Sequence, residues 1–266
     1  MARNTRVLAA LAALSLVVAA CGGSSESSDT TAAAGGSLEL VKDGALTVCS
    51  EVPYEPFEYK AEDGTYTGFD MDLMRAIAAL NDLELEVSEQ SFDGIWLAPA
   101  AGKCDVVASS MTITEERSQA ADFTDGYFDS FQSLLVLNEN KDTINSIEAL
   151  AGKTVAVQTG TTGEEYAKAN APEAKLQSFD EASAMFLALE SGQVDAILQD
   201  FPINAYRAVK QGTSTVSIKF NTESEQYGFA VEKGNTQLLQ VLNAGLAELK
   251  SNGEYDTIFA KYFGKD

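Results

Sequence analysis

Gly102-Lys103-Cys104-Asp105-Val106-Val107 returns later in the chain as Gly192-Gln193-Val194-Asp195-Ala196-Ile197. Each copy is a glycine, two residues, an aspartate and the start of an apolar strand. A glycine that stops a helix before a strand is common, so the echo alone is slight. The surroundings give it weight. Upstream of the first copy, Ala45–Ser50 (ALTVCS) reads as a short apolar strand. Asp70 then reads as a helix N-cap with Asp72 in the first turn. Leu73, Ile77 and Leu80 recur at helical spacing, and Asn81 can end the helix. Residues 83–87 read as a second strand, 94–101 as a short helix stopped by Gly102, and 105–109 as a third strand. Strand, helix, strand in this order implies parallel pairing through right-handed crossovers. Around the second copy, Ser146 caps a short helix and Thr154–Gln158 (TVAVQ) is a strand. TGTTG leads into a helix near Glu164, residues 181–190 are helical, and 196–199 form another strand. The spacing predicts an α/β molecule built as two lobes, each a mostly parallel sheet flanked by helices. Residues 236–263 add a helical pair, with apolar Leu238, Leu242, Leu246 and Leu249 before a break at Gly253, and Tyr255, Ile258, Phe259 and Tyr262 after it.

The 266 residues suit one or two domains with real cores. Eighteen Lys+Arg against 40 Asp+Glu leave a net charge of −22, the wrong sign for non-specific nucleic-acid binding. There is no histidine. Ser-His-Asp and Cys-His catalysis and His-ligated metal sites are excluded, and neither a metal nor a cofactor is expected.

The N-terminus is not read as part of the fold. Arg3 and Arg6 precede an apolar run at 7–20 in which only Ser15 is polar. It is short of the roughly 20 residues that span a bilayer but has the length of a secretory signal's apolar region. It ends in small residues before Cys21, and V-A-A-C resembles a bacterial lipobox. Residues 1–20 are then a lipoprotein signal peptide and Cys21 the lipidated N-terminus; a plain signal peptide cut near Ala20 is the alternative. Removing Arg3 and Arg6 takes the mature charge to −24. Residues 21–39 combine Cys21 with a flexible tether, since GGSSESSDTTAAAGGS at 22–37 holds nothing that builds a core. That stretch spans on the order of 22 Å root-mean-square. A diacylglyceryl anchor would hold the body at the extracytoplasmic face of a membrane.

Cys49 and Cys104 remain. Outside the cytoplasm a pair suggests a disulfide. If the two lie on parallel neighbouring strands, the sulfurs are too far apart to bond, and two buried thiols result instead.

Open α/β sheets bind ligands at the C-terminal ends of their strands. After the first strand comes Glu51-Val52-Pro53-Tyr54-Glu55-Pro56-Phe57; after the third, Ser109-Ser110-Met111-Thr112-Ile113-Thr114-Glu115-Glu116-Arg117. In the second half, Gln158-Thr159-Gly160-Thr161-Thr162-Gly163 precedes a helix N-terminus, which favours an anion, and a fourth strand end supplies Asp200. One cation, one anion, hydroxyls and aromatics complement a zwitterion with a side chain.

VPYEPFEY, GFDMDL, SSMTITEER, VQTGTTGEEYA, DAILQDFPI and GEYDTIFAKYFG, in this order over about residues 40–265, resemble the family 3 extracellular solute-binding proteins. These are the substrate-capturing subunits of ABC importers for polar amino acids. The resemblance implies a two-lobed periplasmic-binding-protein-like fold, with crossing strands near 128–134 and 225–229 as its hinge. Lobe 1 would hold 40–131 and 229–266, and lobe 2 would hold 132–228. It also implies that Arg117 binds the ligand α-carboxylate as a fork, helped by backbone N–H groups at Thr112 and Thr162. Asp200 would bind the α-ammonium, with Ser110 and Thr112 nearby. Tyr54 and Phe92 would sandwich the side chain, and Glu51 and Gln158 would read its polarity. Ser109 and Thr161 complete the expected site. Glu51 suits a cationic side chain such as arginine or lysine; Gln158 suits an amide, as do LQDFPIN and SEQYG. A polar or basic L-amino acid is the expected ligand, membrane permease subunits the expected partners, and a monomer the expected state.

Each residue also has a plainer reading. Arg117 pairs with Glu115 or Glu116 at the surface, Asp200 caps the turn before Pro202, Tyr54 and Phe92 are core aromatics, TGTTG is a turn, and Glu51 is one acid among many. Two other functions share the fold: an extracytoplasmic dehydratase acting on prephenate or arogenate, with Glu51 as its acid–base group, and a ligand-sensing lipoprotein that signals through a separate partner.

Overall fold

The computed structural model describes residues 38–220 and 224–264. The expected signal peptide, the expected lipidation site at Cys21 and the expected tether up to residue 37 lie outside the described residues. Among the described residues no helix is long and apolar enough to cross a membrane, and no cluster of Cys, Asp and Glu has the makings of a metal site.

The chain runs β1 (Ala45–Ser50), β2 (Tyr59–Lys60), β3 (Tyr66–Thr67), α1 (Phe69–Leu80), β4 (Glu84–Glu89), β5 (Val106–Val107), α2 (Glu115–Ala120), β6 (Ala121–Phe123) and β7 (Phe128–Ser130). It continues through β8 (Gln132–Leu137), β9 (Thr154–Gln158), α3 (Thr162–Asn170), β10 (Lys175–Phe179), α4 (Ala182–Glu190), β11 (Ala196–Asp200), α5 (Phe201–Gln211) and β12 (Ser214–Lys219). It closes with β13 (Glu225–Tyr227), β14 (Ala230–Glu232), α6 (Thr236–Asn252) and α7 (Glu254–Phe263). Two five-stranded sheets result, ordered β4-β1-β5-β14-β6 and β10-β9-β11-β8-β12. In each, the first three strands pair in parallel and the fourth pairs antiparallel on both sides. Four strands of each sheet therefore point one way. The reversed strand, β14 or β8, is the one the chain enters on leaving a crossing strand. The crossing strands β7 and β13 pair antiparallel with each other, Tyr227 opposite Phe128 and Glu225 opposite Ser130. The fold is two lobes joined by this ribbon.

The repeated Gly-x-x-Asp is one local device used twice. Gly102 and Gly192 both take left-handed backbone, φ 66° and 71°. Asp105 N–H donates to the Thr47 carbonyl and its carboxylate accepts the Thr47 N–H, at 2.9 and 2.7 Å. Asp195 does the same to Thr154, at 2.8 Å for both bonds. Each aspartate thus hooks the third strand in its sheet's order, β5 or β11, onto the second, β1 or β9.

The cores follow from strand alternation. Val155 and Val157 face Leu134, Leu198, Leu150 and Ala167 on one side of the second sheet, whereas Ala156 and Ile197 face Met185, Leu189 and Ile203 on the other. In the first lobe α1, α6 and α7 pack on one another. Their aromatic residues reach the ribbon: Phe128 stacks on Tyr227 at 5.7 Å and lies 5.1 Å from Phe263. The C-terminal helices thereby brace the hinge.

Several local expectations differ. Gly68, not Asp70, caps α1. Asp70 is fully buried in the first turn and turns inward, accepting from Ser110 N–H at 2.8 Å and Tyr127 hydroxyl at 2.7 Å. Residues 94–101 form only a 3-10 turn at Ile95–Leu97, because Pro99 has no N–H with which to extend it. Cys49 and Cys104 are bonded, with Cα atoms 5.7 Å apart. Parallel register would separate them only if the strand ran straight through Cys104; β5 is two residues long, and the chain bends into it at Asp105.

Candidate functional site

All eleven residues expected at the site line one cavity between the lobes, with a free volume of about 20 Å³. Glu51, Tyr54, Phe92, Ser109, Ser110, Thr112 and Arg117 come from the first lobe; Gln158, Thr161, Thr162 and Asp200 come from the second. Gly163 and Gln199 also line it.

Arg117 is buried rather than paired at the surface. Thr114 caps α2 by accepting the Arg117 N–H, which aims the side chain inward from the helix start. Its guanidinium lies 5.4 Å from the Phe92 ring and 5.2 Å from the Trp96 ring, within cation–π range. One terminal nitrogen donates to the Thr112 carbonyl at 2.7 Å, the other to the Gly160 carbonyl across the cleft at 2.9 Å. Burial lowers its pKa, and Asp200 is the foremost charge acting against that. The surface-pair reading of Arg117 thus gives way, whereas Phe92 packs in a buried cluster with Cys49, Ile95 and Cys104, as its core reading has it, and also lies beside the guanidinium.

Asp200 does occupy the N-cap position of α5, but its carboxylate makes no capping bond. Oδ1 accepts from Gln132 Nε2 at 2.6 Å and Oδ2 accepts from the Tyr227 hydroxyl. Burial first, then the nearby Glu225, push its pKa up to about 7 against those hydrogen bonds.

The TGTTG segment is a helix start, not a bare turn. Thr161 caps α3, accepting from Glu164 N–H at 3.1 Å. A Cβ on Gly163 would lie 2.9 Å from Gln132 Oε1 and 3.3 Å from the Leu198 carbonyl, so glycine lets α3 seat against β11 with its first turn at the cavity. The free N–H groups there suit an anion.

Glu51 closes the far end. Its Oε2 accepts from Gln158 Nε2 at 2.7 Å, and Oε1 from Ala182 N–H at the start of α4 at 3.3 Å. Burial pushes it up to about 7. Ser109 accepts the Glu51 N–H at 3.0 Å. Behind the serines, Glu58 takes the hydroxyls of Ser109 and Ser110 at 3.3 and 3.2 Å, and burial, then Asp70, raise its pKa well above the usual carboxylate range.

Sequence reasoning missed Gln132, Trp96, Glu58, Glu225 and Tyr227. Glu58 sits in VPYEPFEY and Glu225 and Tyr227 in SEQYG, both stretches singled out above. What hid their roles is that their partners lie 21 to 113 positions away.

The profile of the bacterial extracellular solute-binding proteins, family 3, matches residues 46–265. A probable histidine-binding protein of Campylobacter jejuni is 36% identical over 211 residues, 79% of this chain and 81% of its own. Among solved structures, an ancestral arginine-binding protein bound to arginine shares 40% identity at TM-score 0.79, over 83% of this chain and 99% of that one. An ancestral amino acid-binding protein, described as a precursor of cyclohexadienyl dehydratase, shares 38% at TM-score 0.77, over 83% and 96%.

Proposed function

The chain belongs to the bacterial extracellular solute-binding proteins, family 3, and from that premise we propose that it captures a polar or basic L-amino acid for an ABC importer by closing two lobes around it. One observation supports this most: Arg117 and Asp200, from opposite lobes, line the same buried cavity. The Arg117 fork and the start of α3 would hold the α-carboxylate. Asp200, with Ser110 and Thr112, would hold the α-ammonium. Tyr54 and Phe92 would flank the side chain, with Glu51 and Gln158 at its end, and the acid favours a cationic one. Arg117 is the sole cation lining the cavity, against Glu51 and Asp200.

The ligand docks on the first lobe, residues 40–131 with 229–266. The second lobe, 132–228, then swings in on the ribbon, a hinge closure. Expelling water strengthens each charge contact. Residues 1–20 act as a lipoprotein signal, and a lipid on Cys21 with the tether keeps the molecule, as a monomer, at the extracytoplasmic membrane face, where the closed form meets the permease.

Removing one member of a desolvated charge pair costs about 3–5 kcal/mol, a few hundred- to a few thousand-fold in affinity. A thermal-shift screen of the twenty amino acids finds the ligand, and calorimetry on Arg117→Ala should show that loss. Unchanged affinity would reject the assigned role. For the dehydratase alternative, Glu51 has a raised pKa, yet both its oxygens are engaged across the cleft. Incubation with prephenate or arogenate is expected to give no product.

A further inference from the structure

The crossing ribbon carries a carboxylate with three donors. Glu225 Oε2 accepts the Thr112 hydroxyl at 2.9 Å and the Thr162 hydroxyl at 2.7 Å. Its Oε1 accepts from Gln132 Nε2 at 2.9 Å. Thr112 stands on the first lobe, Thr162 and Gln132 on the second, and Glu225 on the strand between them. Both threonines line the cavity, whereas Glu225 stands behind them.

A threonine hydroxyl has one proton to give, and a carboxylate can only accept. Thr112 and Thr162 therefore spend their protons on Glu225; this leaves the Thr112 lone pairs for whatever enters the cavity, and one on Thr162, whose oxygen also accepts from Gln132 Nε2 at 3.3 Å. Gln132 extends the pattern: the same amide nitrogen that donates to Glu225 donates to Asp200 at 2.6 Å. Through one residue the ribbon thus turns two hydroxyls into acceptors on the side of the cavity where Asp200 lies, and one oxygen of Glu225 joins hydroxyls from opposite lobes.

We propose that Glu225 is a positioning residue for amino-acid capture: it holds the Thr112 and Thr162 hydroxyls as acceptors toward the ligand's ammonium group and couples that end of the site to lobe closure. This rests on the reading of the cavity as an amino-acid site. The coupling is physical rather than remote. Thr112 is already paired with the ribbon through its backbone bridge to Tyr227, whereas Thr162 belongs to the second lobe, so both bonds to Oε2 together need the lobes closed and favour the arrangement the ligand favours.

The test compares chemistry with size. Glu225→Gln keeps the length but brings a donor among donors; if the amide nitrogen faces the threonines, their protons turn into the cavity, against an ammonium. Glu225→Asp loses a methylene but keeps an acceptor-only group. With L-arginine and L-glutamine as probes, calorimetry should show Glu225→Gln at least tenfold weaker than wild type and weaker than Glu225→Asp. Packing alone predicts the opposite order, which would overturn the proposal. In a Thr112→Val/Thr162→Val background, Glu225→Gln should cost under threefold, because both hydroxyls it acts through are gone; a full tenfold cost there would also overturn it. Should Glu225→Gln not fold, Glu225→Asp against Glu225→Ala makes the same comparison, and equal affinities sink the idea. A wild-type chain that binds none of the twenty amino acids removes the underlying reading as well, whereas wild-type binding with Glu225→Gln unchanged removes this proposal alone.

Discussion

A buried carboxyl near Arg117 is the residue on which pH should act. Asp200 is pushed up to about 7 by burial and Glu225. An ammonium ligand needs it ionised, so binding near neutral pH should release a proton. The sign is fixed: as pH falls below about 7, less Asp200 is ionised and affinity drops, by up to about tenfold per unit for one proton. Calorimetry in two buffers of different ionisation enthalpy would show different apparent heats at pH 6.5. Identical heats would mean that Asp200 carries no proton before binding.

At the scale of elements, the start of α3 is placed by backbone. Gly160 sits at φ 76°, and its carbonyl accepts from Arg117 across the cleft. A Cβ there would lie 2.6 Å from Asp93 Oδ1 and 3.3 Å from the Asp93 Cα, a first-lobe neighbour. Gly160→Ala should therefore cost about 1–2 kcal/mol in strain and hold the lobes apart by a few tenths of an ångström. Ligand affinity is expected to fall roughly tenfold, read by titrating the fluorescence of Trp96, the single tryptophan. Wild-type affinity in this variant would show that the two segments do not meet in the bound form.

For the whole molecule, two contributions to stability respond to solution conditions. The Cys49–Cys104 bond closes a 55-residue separation, worth about 4 kcal/mol in the chain-entropy account and typically 2–4. Urea unfolding of reduced against oxidised protein should differ by that amount. The second term is pH. Glu51, Asp70 and Asp200 are all pushed up to about 7, chiefly by burial, from ordinary values of 4.5, 3.8 and 3.8. Between those limits the folded chain holds protons that the unfolded chain has lost, so stability falls as pH rises. Carboxyls held low, such as Asp122 beside Lys233, act only as pH drops below about 4. Self-repulsion in a chain of net charge −22 works in the same direction as the buried acids. Without added ligand, the melting temperature should be higher at pH 5 than at pH 8; a rise over that interval would contradict the buried acids.

The local pattern alone determined the repeated strand–helix–strand units, the break at Gly253 and the strand ends that carry Arg117, Gln158 and Asp200, because alternation, helical spacing and glycine stops act over a few residues. β1 and β9 begin and end where their apolar runs do. The echo of Gly102 and Gly192 was visible as letters, but its cause, an aspartate bonded to the neighbouring strand, joins Asp105 to Thr47, 58 positions away. Only tertiary structure decided that Asp70 faces inward, that the chain bends to bring Cys104 onto Cys49, and that Glu225 meets both Thr112 and Thr162. Those outcomes depend on which distant groups burial sets side by side, and a carboxylate in a strand reads the same in sequence whether it meets solvent or two hydroxyls from opposite lobes.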